Sequence, residues 1–495
     1  MATKLRAMGD VSAGILPVIP IDRGAASPLH RQVYSGFRDA ILRGDLAAGQ
    51  QVPSSRVLAV ELGISRFPVL DAYSQLLAEG YFETRVGSGT FVSADLPVRR
   101  SVPRRTVTAS PVPRGVSRRS ALFPAFEPLP WRNGWGPFGV HQPALDHFPF
   151  DVWSKLVGRH SRKGRAQPAR VVDPLGLQTF REAICSYLRT ARAVRCEPGQ
   201  IMVLSGSQQA LDITTRVLLD PGDDAWTEEP CYPLVRSLLL GSGCNPVPVP
   251  VDQEGLNIAA GMRMAPHARA AFVTPSHHYA LGVTMSAGRR FQLLEWARQS
   301  SAWIVEDDYD SEYRYESMPI PSLQGLDTSG SVIYIGTFSK VLRPSLRLGY
   351  VVIPPELVDR FIAVRFATDI FPATLFQGVL TDFMFEGHFA RHIRRMRALY
   401  KARRTALVES LRTEFGGFFE IQGAEAGMHL TVTLPPGYHD VEIATRAAKE
   451  KLWLWPLSLC YFGEKKRQGF ILGFANTPEE QMPAAVRRLR EVIGL

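Results

Sequence analysis

The stretch YIGTFSKVLRPSLRLGYVV places Lys340 just after a β-rich run, with Thr337 and Ser339 ahead of it and Arg347 seven positions on. A lysine in a half-buried pocket can lose its proton and condense with an aldehyde, while an arginine and small hydroxyls can hold a phosphate. An earlier run, AWIVEDDYDSEYRYE, sets Asp307 and Tyr309 just past a buried strand. A carboxylate there can keep a pyridine nitrogen protonated, and a phenol can hydrogen-bond a ring oxygen. SGSQQALDIT reads as a strand-to-helix turn, whose free N–H groups and helix dipole also suit phosphate. EEPCYP adds Tyr232, able to stack on a flat ring.

These residues need a scaffold that gathers them. From PALDHFPFDVWSKL onward, helical stripes alternate with short β-rich runs: IMVLSG, DAWTEEP, NPVPVPV, AAFVTPS, AWIVEDDY, SVIYIGTFS and RLGYVVIP. Such alternation predicts an α/β body, a sheet covered on both faces by helices. Ligands in these sheets lie beyond the C-terminal ends of the strands, which is where the chemistry-bearing residues fall.

Residues 25–94 form a separate head. Val33, Phe37, Ile41 and Leu42 recur at helical spacing, and Gly44 stands where that helix should stop. Ser54 and Ser55 open a second short helix that ends at Gly63. Ser65 caps a third, with a core stripe of Val69, Leu70, Tyr73, Leu76 and Leu77. Helices two and three, joined by a tight GIS turn, have the dimensions of a helix-turn-helix. YFETRVGSGTFV then alternates into two strands around Gly87 and Gly89, a hairpin wing.

The length of 495 residues allows about three domains, and 45% hydrophobic with 21% charged residues excludes a disordered or coiled-coil chain. The net charge of +10 is unevenly placed. Residues 1–95 carry nine Lys/Arg and nine Asp/Glu, and residues 96–126 carry seven arginines and no acid, so only +3 remains for the rest. Those arginines (Arg99, Arg100, Arg104, Arg105, Arg114, Arg118 and Arg119) lie in a Pro- and Ser-rich stretch, read with its flanks as a linker over 95–139. It acts as a solvated tether, as a phosphate-binding segment, or as both. The five cysteines show no metal-like spacing, so no metal site is expected, and a reducing cytoplasm fits them. No run is long and apolar enough to predict a membrane span.

The head resembles the GntR-type winged helix through PLHRQ, AAGQQVPSSRVLAVELGISR and GYFETRVGSGTFV. That resemblance assigns double-stranded operator DNA to Arg56, Ser65, Arg66, Arg85 and Gly87. One departure is Phe67-Pro68, where the family carries small polar residues, so the readout there should be apolar or altered. The body, 140–495, resembles the fold type I aminotransferase superfamily, with a large domain and a smaller C-terminal α+β subdomain. By that resemblance the cofactor is pyridoxal 5′-phosphate: Lys340 forms the internal aldimine, Asp307 pairs with the pyridine nitrogen, Tyr309 meets the ring hydroxyl and Tyr232 stacks. Ser207, Gln208, Thr337, Ser339 and Arg347 would bind its phosphate. His278 either contacts the ring region or is structural together with His277.

Head and body together resemble the MocR/GabR regulators, through DPLGLQTFREAICSYLRTARAV, EDDYDSEY and GTFSKVLRPSLRLGY. The resemblance implies a cytoplasmic, nucleoid-associated, head-to-tail homodimer in which a small-molecule effector, pyridoxal phosphate itself or an amino compound, controls operator binding. Against full transaminase turnover stands QGFILGFAN, where Ile471 occupies the place of the arginine that grips a substrate carboxylate. Arg467, four residues upstream, would have to reach around a turn to replace it. The alternative is an active aminotransferase with an appended DNA-binding head.

Overall fold

A computed structural model describes residues 19–96, 115–125, 127–132, 134–164, 173–315, 320–463 and 466–495. The chain divides into two units, Met1–Arg114 and Gly115–Leu495.

In the first unit, α1 (Leu29–Arg43) buries Val33, Phe37 and Ile41 and stops at Gly44, whose φ of 81° is the left-handed conformation that glycine adopts without strain. Leu42, placed in that stripe by its spacing, is exposed. The strand β1 (Gln51–Val52) leads into α2 (Ser55–Glu61), where Ser54 accepts a hydrogen bond from the Val57 N–H, and then α3 (Arg66–Ala78). Val69, Ala72, Tyr73 and Leu76 of α3 face inward, but Leu70 is 41% exposed. Ser65 stands at the start of α3 without making a side-chain cap. The wing strands β2 (Phe82–Arg85) and β3 (Gly89–Val92) pair antiparallel, with β1 on the far side of β3. Phe37, Tyr73 and Phe82 close the core as an edge-to-face triangle with centroids 5.2–5.6 Å apart.

In the second unit all seven β-rich runs become strands: β4 (Ile201–Leu204), β5 (Asp224–Glu229), β6 (Asn245–Asp252), β8 (Ala270–Val273), β9 (Trp303–Asp308), β10 (Val332–Thr337) and β11 (Gly349–Val352). The short β7 (Gly255–Leu256) completes a sheet ordered β4-β11-β10-β9-β8-β5-β6-β7. Three prolines at alternate positions of β6 (Pro246, Pro248, Pro250) do not break it, because their missing N–H groups all point to the side away from β5. Side chains alternate across the sheet: Ile333 and Ile335 of β10 join one core and Tyr334 the other. A smaller antiparallel sheet follows, β12 (Glu420–Gln422), β13 (His429–Thr433), β14 (Trp455–Pro456) and β15 (Gly469–Gly473), ordered β12-β13-β15-β14. No described helix is long and apolar enough to cross a membrane.

Contacts with the body begin ahead of residue 140. This unit begins at Gly115, and Arg119 donates to the carbonyls of Gly241 and Ser242 at 3.2 Å, at the C-terminal end of the helix Pro233–Ser242. Phe138 is fully buried and bridges to Gly473. Five of the seven linker arginines, Arg99, Arg100, Arg104, Arg105 and Arg114, lie outside the described residues.

Candidate functional site

The topology explains how residues 140 positions apart converge. Strands β5, β8, β9 and β10 are mutually parallel, and β11 is antiparallel to both β10 and β4. The C-terminal ends of β4, β5, β8, β9 and β10 and the start of β11 therefore share one sheet edge. Ser207, Tyr232, His277 and Lys340 follow β4, β5, β8 and β10, Asp307 is the penultimate residue of β9 rather than lying past it, and Arg347 precedes β11.

At one end of this edge is a cradle. Gly206 has φ 100°, and a Cβ there would touch the guanidinium of Arg347 at 3.4 Å. Gly349 packs so closely that its Cβ would meet the Gly206 backbone at 2.8 Å. The helix Ser207–Leu218 starts here, the Thr337 hydroxyl accepts from the Ser339 N–H at 3.2 Å, and Gln208 Oε1 is buried with no hydrogen-bond partner. A helix N-terminus, an arginine, hydroxyls and two positions free of side chain form an anion-sized seat.

At the centre stands Lys340. Burial lowers its amine from the ordinary 10.5 to about 7; Asp310 and Asp307 oppose that shift and Arg347 reinforces it. Asp307 Oδ1 is buried without a partner, and burial together with Asp308 pushes its carboxyl up to about 7. A buried carboxylate that lacks a partner is costly unless a cationic donor meets it. Tyr232 opens the helix Pro233–Ser242 with its ring 4.8 Å from that of Tyr279.

Tyr309 packs against His277. Its hydroxyl donates to the His277 carbonyl at 3.0 Å and faces His277 Nδ1 at 3.1 Å, and Asp310 holds the same ring at 3.1 Å. His278 turns away from this group. Its Nδ1 accepts from the Leu281 N–H at 3.0 Å and its Nε2 lies 3.6 Å from Glu228, with burial lowering it to about 3. Two further histidines, which their sequence context does not single out, join the site. His141 meets the Tyr279 hydroxyl at 3.3 Å, and His429 Nε2 donates to the Tyr279 carbonyl at 3.0 Å. Burial holds both imidazoles neutral, and both feel the charge of Lys340. Their one local signal is backbone: His141 has φ 67°, rare for a residue with a side chain.

Ile471 is fully buried on β15, in one apolar cluster with Tyr279, Leu281 and Tyr309. Arg467 pairs with Glu420 at 3.1 Å instead of replacing the missing arginine.

In the head, Arg66 Nε donates to Ser55 Oγ at 3.1 Å, which ties the first turns of α2 and α3 together beside exposed Arg56. The wing forms a second group. Arg85 pairs with Glu83 at 2.7 Å and lies over the Phe91 ring at 4.4 Å, and Gly87 takes φ 77° at the turn.

Residues 139–489 match the family model described as aminotransferase class I and II, and residues 29–92 match bacterial regulatory proteins, gntR family. The chain is 41% identical to the probable rhizopine catabolism regulatory protein MocR of Rhizobium meliloti, over 96% of this chain and 95% of that one. It is 30% identical to the pyridoxine biosynthesis transcriptional regulator PdxR of Corynebacterium glutamicum, over 94% and 96%. Among solved structures, the multiple substrate aminotransferase of Thermococcus profundus superposes with a TM-score of 0.70 at 28% identity, over 76% of this chain and 97% of that one. A gntR-family head continuous with an aminotransferase class I and II body, matched end to end by named transcriptional regulators, makes this chain a member of the MocR-type transcriptional regulators.

Proposed function

We propose that the body binds pyridoxal 5′-phosphate at the Lys340 edge and that occupancy of this pocket sets the affinity of the head for operator DNA. The observation that carries this reading is the pairing of a depressed lysine with a partnerless buried carboxylate and an arginine-backed glycine cradle. Arg347, Ser207, Gln208, Thr337 and Ser339 would seat the phosphate. Asp307 would hold a proton on the ring nitrogen, Tyr309 would meet the ring hydroxyl, and Tyr232 would flank the ring. When bound, the cofactor supplies an aldehyde that amines attack and a ring that accepts electron density. Lys340, neutral in a large fraction near pH 7, is the amine the chain itself presents.

The chain regulates and does not turn over amino acids. With an apolar wall at Ile471 and Arg467 paired with Glu420, the bidentate grip that orients an α-amino acid is missing from position 471. The effector is therefore pyridoxal phosphate itself or an amino compound recognised without that grip. A homodimer acting on operator DNA in the cytoplasm fits this reading, with effector and DNA linked through a coupling free energy.

The test is a gel-shift titration of the chain's own upstream DNA, with and without pyridoxal phosphate and candidate amines. Borohydride reduction and peptide mapping follow on the same samples. The reading requires a cofactor-sized mass on Lys340 and a cofactor- or amine-dependent change in DNA affinity. Sustained consumption of an amino donor with a keto acceptor would establish the aminotransferase alternative.

A further inference from the structure

At its start the outer face of α3 carries two bare apolar side chains, ahead of exposed Asp71, Ser74 and Gln75, where a DNA-reading helix is expected to be polar. Phe67 and Leu70, three residues apart and so on one side of the helix, are 77% and 41% exposed, and neither packs against the head's core. The inward face is complete without them, through Val69, Ala72, Tyr73 and Leu76. Arg66 and Asp71 are the charged groups beside them on this face, and Asp71 lies 3.8 Å from His30. Arg66, immediately before Phe67, is anchored to Ser55, so the side chains at the start of α3 present a fixed arginine followed by a bare phenyl ring. Pro68 takes a first-turn position, where its missing N–H costs nothing, and it stiffens the backbone that carries the ring.

An exposed phenyl ring and leucine at the tip of a recognition helix have a limited set of partners. The major groove presents hydrogen-bonding edges at every base pair and one apolar group, the C5-methyl of thymine. Phosphates would be met by cations, which this face lacks beyond Arg66. We infer that Phe67 reads a thymine methyl in the operator, with Leu70 extending the contact along the groove and Arg66 setting the register from the backbone or an adjacent guanine. Phe67 is thus a specificity-determining residue that works by burying apolar area rather than by hydrogen bonding.

Deoxyuridine differs from thymidine only by that methyl, so it isolates the contact. A tight-binding duplex is selected from a randomised pool with the full-length protein, and each thymidine is replaced singly by deoxyuridine. Affinities are then measured at fixed salt for the wild type, Phe67→Ala and Phe67→Leu, with circular-dichroism melts confirming that the variants remain folded. Burial of one methyl predicts about a fourfold loss for the wild type at one or two positions. Phe67→Ala should bind more weakly and no longer distinguish thymidine from deoxyuridine there, while Phe67→Leu should retain part of the discrimination. The inference fails if the wild type binds every deoxyuridine duplex equally, or if Phe67→Ala keeps the same discrimination. It also fails if Phe67→Ala binds DNA as the wild type does, which would mark the apolar face as a protein-docking surface.

Discussion

Arg192 Nε donates to Asp308 Oδ2 at 2.8 Å, with both side chains buried, and the Tyr334 hydroxyl donates to the same oxygen at 2.6 Å. Because side chains alternate along β9, this pair lies on the face opposite Asp307. It compensates one of two adjacent carboxylates and leaves the other for the pocket. Replacing Arg192 by Met strands the Asp308 charge in the core and should cost about 3–5 kcal/mol of stability. Urea denaturation measures it, and a decrease under about 1 kcal/mol would mean that the pair is dispensable.

The pH dependence of cofactor capture reports on Lys340. The amine reacts only when neutral, and burial lowers it to about 7. Capture of pyridoxal phosphate should therefore rise with pH up to about 7 and then level, whereas an ordinary lysine would keep gaining to about 10. Asp310 favours the protonated amine, so Asp310→Asn should move the midpoint below that of the wild type. Stopped-flow absorbance across the pH range checks both, and a wild-type midpoint near 10 would contradict the assignment.

Restoring the missing arginine should be harmful by itself. Ile471 has no exposed surface, so Ile471→Arg buries a charge without a partner and should lower stability by about 3 kcal/mol or more. An α-amino acid offers the compensating carboxylate, so it should raise the melting temperature of the variant and leave the wild type unmoved. Saturable binding of simple α-amino acids to the wild type, followed by calorimetry, would refute the apolar-wall reading.

The two sets of arginines should separate kinds of DNA affinity. Replacing Arg99, Arg100, Arg104, Arg105 and Arg114 by Ser should flatten the salt dependence, by about 0.9 in log–log slope for each phosphate no longer neutralised, without changing operator preference. Arg66→Ala should instead weaken operator binding more than binding to unrelated DNA, with a slope change of about one phosphate at most. Arg119 is left out of the first set because it already holds the end of a body helix. Anisotropy titrations at several salt concentrations distinguish the two, and altered operator choice in the five-fold variant would overturn this division.

Much of the fold is legible in the sequence because its signals are local. Short β-rich runs mark seven strands, and Gly44, Ser54 and the wing glycines mark element ends through backbone preferences that neighbours do not alter. Leu42 and Leu70 fall outside the core because helical spacing defines a stripe but not its width. Arg119 and Phe138 lie in a stretch with the composition of a tether and yet are anchored in the body, because an arginine- and proline-rich composition conceals single anchors.

The sequence by itself pointed to a head and a body, to Lys340, Asp307, Tyr309 and Arg347 as candidates for chemistry, and to the missing arginine at position 471. The first two rest on residue type and short-range spacing, and the third on the resemblance to aminotransferases. Only the tertiary structure decided which groups face one another. The antiparallel insertion of β11 between β4 and β10 brings Arg347 to Gly206, and long-range packing sets His277 rather than His278 against Tyr309. Burial, which exists only once the sheet edge is assembled, then lowers Lys340 and raises Asp307 into the same range near neutrality.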